Sequence, residues 1–106
     1  MFIKSKLNMK HISKKIPEYK QEVVEVFSKI NGDKGLMTEF LKDILTPSEF
    51  EALALRWQIV KKLNKGETHR SVAGDLGLGI STVTRGSREL RNKNGGFHLM
   101  FKKLGK

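Results

Sequence analysis

The segment Leu76–Arg91, LGLGISTVTRGSRELR, gathers groups suited to the chemistry of phosphates and base edges. Gly77 and Gly79 keep side chains away from the backbone amides. Ser81, Thr82 and Thr84 offer hydroxyls, and the bases Arg85, Arg88 and Arg91 are opposed only by Glu89. LGLGIS is not a dinucleotide fingerprint, because no strand precedes it. Catalysis finds no footing elsewhere in the chain. His11, His69 and His98 are scattered with no carboxylate at metal-ligand spacing, and neither a Walker glycine loop nor a nucleophile and base arrangement is present. Cysteine is absent, which excludes disulfides, thiolate metal sites and cysteine nucleophiles. The expectation is a protein that is not an enzyme and holds no metal.

Such groups act together only if a fold presents them, and the spacing around them is that of two short helices crossing steeply. A pair of that kind needs a small residue at the closest approach, a turn residue that accepts positive φ, and an apolar residue locking the second helix to the first. Ala73, Gly77 and Val83 fall at those three places, with Val72 and Leu76 as inner packing. A helix-turn-helix is expected over about residues 68–91, with Thr68 as its opening cap. Ile80, Ser81, Thr82 and Thr84 would project from the helix that enters the major groove, Ile80 toward a thymine methyl and the hydroxyls toward base edges or phosphates. Arg70, on the supporting helix, has the reach for a guanine contact. Two ordinary core helices with an accidental glycine would share the apolar spacing, and a plain surface arginine would share the position of Arg70. Gly86 is the odd member, since glycine inside a helix costs about 1 kcal/mol relative to Ala. Leu90 continues the apolar face, so the helix is expected to run past Gly86.

The remaining pattern is helical as well. Pro17 fits a first helical turn, and Tyr19, Val23, Phe27 and Ile30 recur at three- and four-residue steps until NGDKG, Asn31 to Gly35, halts the run. Leu36, Met37, Phe40, Leu41 and Ile44 give the next segment a broad apolar face. Thr46-Pro47-Ser48-Glu49 combines a Thr cap, a Pro at the first helical position and a Glu placed for a capping box. The helix it opens should reach about Lys65, with Phe50, Leu53, Ile59, Val60 and Leu63 facing inward and Gly66 as a left-handed terminator. After the NKNGG break, Phe97, Met100, Phe101 and Leu104 mark a final helix. An all-α fold of six helices follows. The first three carry more apolar surface than so small a body covers alone, so an intertwined or closely packed homodimer is expected.

With 106 residues the chain is expected to form one helical domain, residues 17–106, behind a basic flexible arm, residues 1–16. Its net charge of +10 is unevenly placed. Lys4, Lys6, Lys10, Lys14 and Lys15 precede Pro17 without an acid, and Arg88, Arg91, Lys93, Lys102, Lys103 and Lys106 follow Ser87 with Glu89 as the one acid, while residues 17 to 87 are neutral. Basic blocks of this kind suit a polyanion, because each phosphate contact releases counterions. A solubilising tail is the plainer reading of a lysine-rich terminus. No apolar run reaches membrane-spanning length and MFIKSKLNMKHISKK lacks the apolar core of a secretory signal, so a cytoplasmic, nucleoid-associated protein is expected.

Leu45–Glu67, LTPSEFEALALRWQIVKKLNKGE, and Leu76–Ser87, LGLGISTVTRGS, closely resemble the two signature regions of the bacterial tryptophan repressor family. The similarity runs from Leu45 to about Arg91, with a one-residue deletion between Glu67 and Arg70. It implies an all-helical, intertwined six-helix homodimer that represses transcription, its two reading heads set one DNA turn apart. It also implies a corepressor site in which the indole of tryptophan lies between two arginines and against a glycine, at Arg56, Arg85 and Gly86. Helix-end carbonyls and the Thr of the LTP motif, at Asp43, Leu45 and Thr46, would complete that site. Operator contacts are implied at Arg70, Gly77, Gly79, Ile80, Ser81, Thr82, Thr84 and Arg91.

Two residues depart from the family pattern. Glu89 stands where a small hydroxyl residue lies near the ligand carboxylate, and a second carboxylate there would repel the first. Trp57 stands beside Arg56 in place of a smaller aliphatic residue, where its ring would fill the pocket; a large core residue on a long helix is the other reading. The expectation is therefore a DNA-binding transcriptional regulator, a repressor acting as a homodimer on double-stranded operator DNA and without a cofactor. L-tryptophan or another aromatic corepressor is the alternative for the ligand. The competing function is a protein-interaction module that binds transcription machinery through the same helical pair.

Overall fold

A computed structural model describes residues 14–105; the basic arm as far as residue 13, and Lys106, lie outside the described residues. Those described form six α-helices and no strand: α1 (Ile16–Ser28), α2 (Lys34–Ile44), α3 (Pro47–Asn64), α4 (His69–Leu76), α5 (Ile80–Gly86) and α6 (Gly96–Leu104), with a 3-10 turn at Arg88–Arg91 between the last two. The chain divides into two units, one ending at Asp43 and one beginning at Ile44.

In the first unit Pro17 sits in the opening turn of α1, and Asn31 and Gly32 reverse the chain through positive φ values of 51° and 82°. The second helix starts at Lys34 rather than at Leu36. Asp33 Oδ1 accepts the Leu36 amide at 3.0 Å, which caps the helix two residues before its apolar pattern begins. Phe27 and Phe40 meet edge to face with ring centroids 5.3 Å apart, and Ile30 is buried. Tyr19, Val23 and Leu36, read as inward-facing in the sequence, remain exposed.

The second unit is built on α3, whose capping box is complete. Thr46 Oγ1 accepts the Glu49 amide at 3.1 Å while the Thr46 amide donates to Glu49 Oε1 at 2.8 Å. At its far end Gly66 takes a φ of +99°, and the Glu67 amide reaches back to the Lys62 carbonyl at 3.3 Å. That reach satisfies a carbonyl the helix would otherwise leave open. Ile59, Val72, Ala73 and Val83 form the buried core, with Leu63, Leu76 and Leu78 packed around it. Each large side chain so buried stabilises the fold by roughly 1.5 to 3 kcal/mol relative to exposure. Leu53, expected on the inner face of α3, is 47% exposed. On α6 only Phe101 is buried, resting against Trp57 at 5.3 Å, while Met100 and Leu104 face outward. A helix of nine residues touched on one side has room to bury little more than one residue of its stripe.

Candidate nucleic-acid interface and ligand cleft

Local hydrogen bonds and a small apolar core together hold the helix-turn-helix. Thr68 Oγ1 accepts the Ser71 amide at 3.1 Å and opens α4 at His69. Gly77 ends that helix in the left-handed region, at φ +68°, where a Cβ is strained, and the Leu78 amide closes the turn on the Ala73 carbonyl at 2.9 Å. The chain then re-enters a helix at Ile80 with Gly79 as cap. Val83, fully buried, locks α5 within the core cluster that holds Val72 and Ala73. Lys62 spans the joint between α3 and α4, 4.0 Å from Glu67 and 3.7 Å from Asp75. Such a partly exposed pair is worth about 1 kcal/mol at most.

What α5 does not bury is the informative part. Ile80, Ser81, Thr82 and Thr84 are all exposed, as are Arg70 on α4 and Arg91 on the 3-10 turn. Gly77 is required by its φ, but Gly79 is not: its φ is −73°, and a Cβ there would meet no atom of the chain within 4 Å. Only something outside the chain would notice a side chain at Gly79.

The structure corrects the expected length of this helix. It ends at Gly86 instead of continuing through Leu90. Ser87 Oγ donates to the Thr84 carbonyl at 3.0 Å, and the Leu90 amide bonds the Ser87 carbonyl at 2.9 Å in the tighter 3-10 pattern. Leu90 thus turns inward by a change of helix type, and His98 Nε2 donates to its carbonyl at 2.8 Å, tying α6 to the turn.

Arg56, Arg85 and Gly86, grouped by the resemblance, stand at one cleft. Of about 220 Å³, it is lined also by Leu55, Ile59, Leu78 and Thr82. Gly86 has a reason within the chain, because a Cβ there would stand 3.1 Å from Ile59 Cδ1. Leu45 and Thr46 do not line this cleft, and the Thr46 hydroxyl is engaged as the cap of α3. Asp43 is an exposed residue in the last turn of α2. Glu89 and Trp57 lie elsewhere: with Asn92, Gly95, Phe97 and Met100 they line a separate groove of about 510 Å³. The 3-10 turn is what carries Glu89 away from the arginine pair.

One arrangement had no signal in the sequence. His69 and Ser87, eighteen positions apart, meet at 3.3 Å and share a third groove with Thr84 and Arg91. No spacing rule connects a residue at the start of α4 with one past the end of α5. Among the described residues no group of His, Asp and Glu is placed to hold a metal ion, and no helix is long and apolar enough to cross a membrane.

Two short helices joined through a left-handed glycine, with the second presenting hydroxyls and Ile80 outward, define the helix-turn-helix class of DNA-binding regulator. The family model described as Trp repressor protein matches residues 19–105, and the chain belongs to that family of DNA-binding transcriptional repressors. It is 42% identical over 82 residues to a Trp operon repressor homolog of Vibrio campbellii, covering 74% of this chain and 80% of that protein. A Trp operon repressor homolog of Vibrio parahaemolyticus is 40% identical over 82 residues, 74% of this chain and 78% of its own length. One from Vibrio cholerae is 46% identical over a shorter span of 52 residues, 48% of this chain and 50% of the relative. No solved structure matches the chain.

Proposed function

We propose that this chain is a sequence-specific repressor that binds operator DNA as a homodimer, with α5 in the major groove. The observation that carries the reading is the division of α5: Val83 is spent on the core and Ile80, Ser81, Thr82 and Thr84 are left on the surface. Apolar and hydroxyl groups of that size reach base edges without filling the groove. Gly79 leaves room for a phosphate to approach the start of the helix, and Arg70 and Arg91 flank it with charge.

The dimer is supported by exposure of apolar residues that a monomer has no use for. Val23, Val24 and Val26 on α1, Leu36 on α2, and Leu53 and Leu55 on α3 all face solvent in the single chain. A second copy would cover them. Sedimentation at micromolar concentration should show one species of twice the chain mass, and a folded monomer would overturn this part of the reading.

The deciding experiment is selection of bound duplexes from a random-sequence pool, with and without L-tryptophan. Enrichment of a two-fold symmetric sequence with half-sites about one helical turn apart is the expected result. Binding that neither enriches a sequence nor weakens with added salt would favour the protein-interaction module instead.

An aromatic amino acid is the second element of the proposal, favoured by one specific observation. Arg56, Arg85 and Gly86 share a cleft from which Glu89 and Trp57 are absent, so the two residues that would have closed it to an amino acid do not stand in the way.

A further inference from the structure

The reading helix α5 is seven residues long, Val83 is its one buried side chain, and Gly79 opens it without a side-chain cap. So short a helix takes its pitch from what stands beside it. On the side of α3 that is Ile59, and on the side of the turn it is Leu78, half-buried and packed around the core of Ile59, Val72, Ala73 and Val83. Leu78 also lines the arginine cleft. Among the described residues, it and Ile59 are the two that belong both to the core assembly and to the cleft wall. We propose that Leu78 is the positioning residue of the reading helix: its volume props α5 against α3 and closes the inner wall of the cleft, so that truncating it makes operator selectivity depend on a ring in the cleft. The inference rests on the DNA-binding reading above and names the side chain that links the cleft to that interface.

The backbone gives Leu78 little freedom to settle elsewhere. Its amide is bonded to the Ala73 carbonyl at 2.9 Å, and Gly77 before it holds a φ of +68°, so the turn fixes where its side chain stands. After it, the Thr82 and Val83 amides both return to the Gly79 carbonyl, at 3.1 and 3.2 Å. A displacement of Leu78 is therefore carried into the first turn of the helix that exposes Ile80, Ser81 and Thr84. At the far end of α5, a Cβ on Gly86 would stand 3.1 Å from Ile59 Cδ1, so that end already rests on α3. Leu78 and Gly86 hold the two ends, and Thr82 and Arg85 between them line the cleft. Truncating Leu78 would open the cleft toward the core, because neighbours collapse only partly onto a deleted side chain. An apolar ring fills a space walled by Leu and Ile.

The test uses the full chain, the duplex selected from the random pool and a scrambled duplex of the same length. Its readout is the ratio of the two affinities, which a loss of stability alone does not move, because unfolding lowers both together. Leu78→Ala should lower that ratio roughly tenfold or more, as the loss of a base contact would. Added indole, an uncharged ring, should restore it. Leu78→Met, close to leucine in volume, should keep the wild-type ratio. Leu78→Val, a smaller truncation, should fall between the two and carries the test if the alanine variant does not fold. Circular dichroism melts set a temperature at which the compared proteins are folded. An unchanged ratio in the folded truncations makes Leu78 a structural residue only and overturns the proposal. So does a loss that indole does not recover, or one as large in Leu78→Met as in the truncations; each leaves the DNA reading intact. A random pool from which the wild type enriches no duplex overturns both.

Discussion

Ile59 Cδ1 lies 3.1 Å from the point where a Cβ on Gly86 would stand, which makes the last residue of α5 part of the joint between α3 and the reading helix. Ile59 is 3% exposed and belongs to the core cluster, so a Cβ at Gly86 would crowd a packed side chain. Gly86→Ala should therefore lose less than about 1 kcal/mol, its gain in helix propensity offsetting most of the crowding. Gly86→Val places two further methyls against Ile59 and should lose about 1 to 3 kcal/mol. Urea unfolding of the two variants checks the ordering; a Val variant as stable as the Ala variant would mean that Ile59 does not hold the joint.

Two neighbouring glycines should respond oppositely to alanine. Gly74 lies inside α4 with no atom near its Cβ position, so Gly74→Ala should stabilise by up to about 1 kcal/mol. Gly77 has equally open space but a φ of +68°, and Gly77→Ala should destabilise by about 1 to 2 kcal/mol. Thermal melts of both separate backbone strain from crowding, and the pair moving in the same direction would contradict the left-handed turn.

The caps at Thr46 and Thr68 each satisfy one amide at 3.1 Å. Thr46→Ala and Thr68→Ala should each cost about 1 kcal/mol. Thr68 also fixes where α4 begins, so hydrogen exchange should rise most at Ser71 and Val72 in that variant. Uniform exchange along the helix would show that packing alone sets its start.

The features legible in the sequence were those carried by neighbouring residues. The capping box at Thr46 and Glu49, the terminator at Gly66 and the turn at Gly77 each depend on bonds within five residues, and each forms as read. The helix-turn-helix core of Ala73 and Val83 was readable for the same reason, since two short helices leave few ways to bury an apolar pair. Misreadings arose where tertiary geometry took over. Leu90 fits an α-helical stripe, yet the Ser87 hydroxyl bond and the 3-10 turn bring it inward by another route. The same turn moves Glu89 to the groove of Trp57, which no helical wheel would indicate. Asp33 caps α2 from within NGDKG, a stretch whose composition signals only a helix stop.

On DNA, exposed residues of α5 and the flanking arginine should differ in kind. With α5 in the major groove as proposed, Ile80→Ala and Thr84→Ala should each lose about 1 to 3 kcal/mol confined to one position of the site. Arg91→Ala should weaken all sequences alike and lower the salt slope by about one. Binding to the selected duplex and to a scrambled one, across a salt series, reads both effects. Equal losses on both duplexes for all three variants would place α5 against the backbone rather than in the groove.

The ligand cleft gives the last prediction, and it turns on where Glu89 lies. Were its carboxylate at the cleft, Glu89→Ser would relieve repulsion and raise affinity for an amino acid. It lines the groove of Trp57 and Phe97 instead, apart from Arg56 and Arg85. Glu89→Ser should therefore leave L-tryptophan affinity unchanged, because an exposed charge in another groove is screened by water. Arg85→Ala should lower it about tenfold, since a guanidinium over an indole face is worth roughly 1 to 2 kcal/mol once partly desolvated. Calorimetric titration of the wild type and both variants with L-tryptophan decides the matter. Affinity gained in Glu89→Ser would put the carboxylate at the ligand after all, and no binding by any of the three would leave the arginine cleft without an amino-acid ligand.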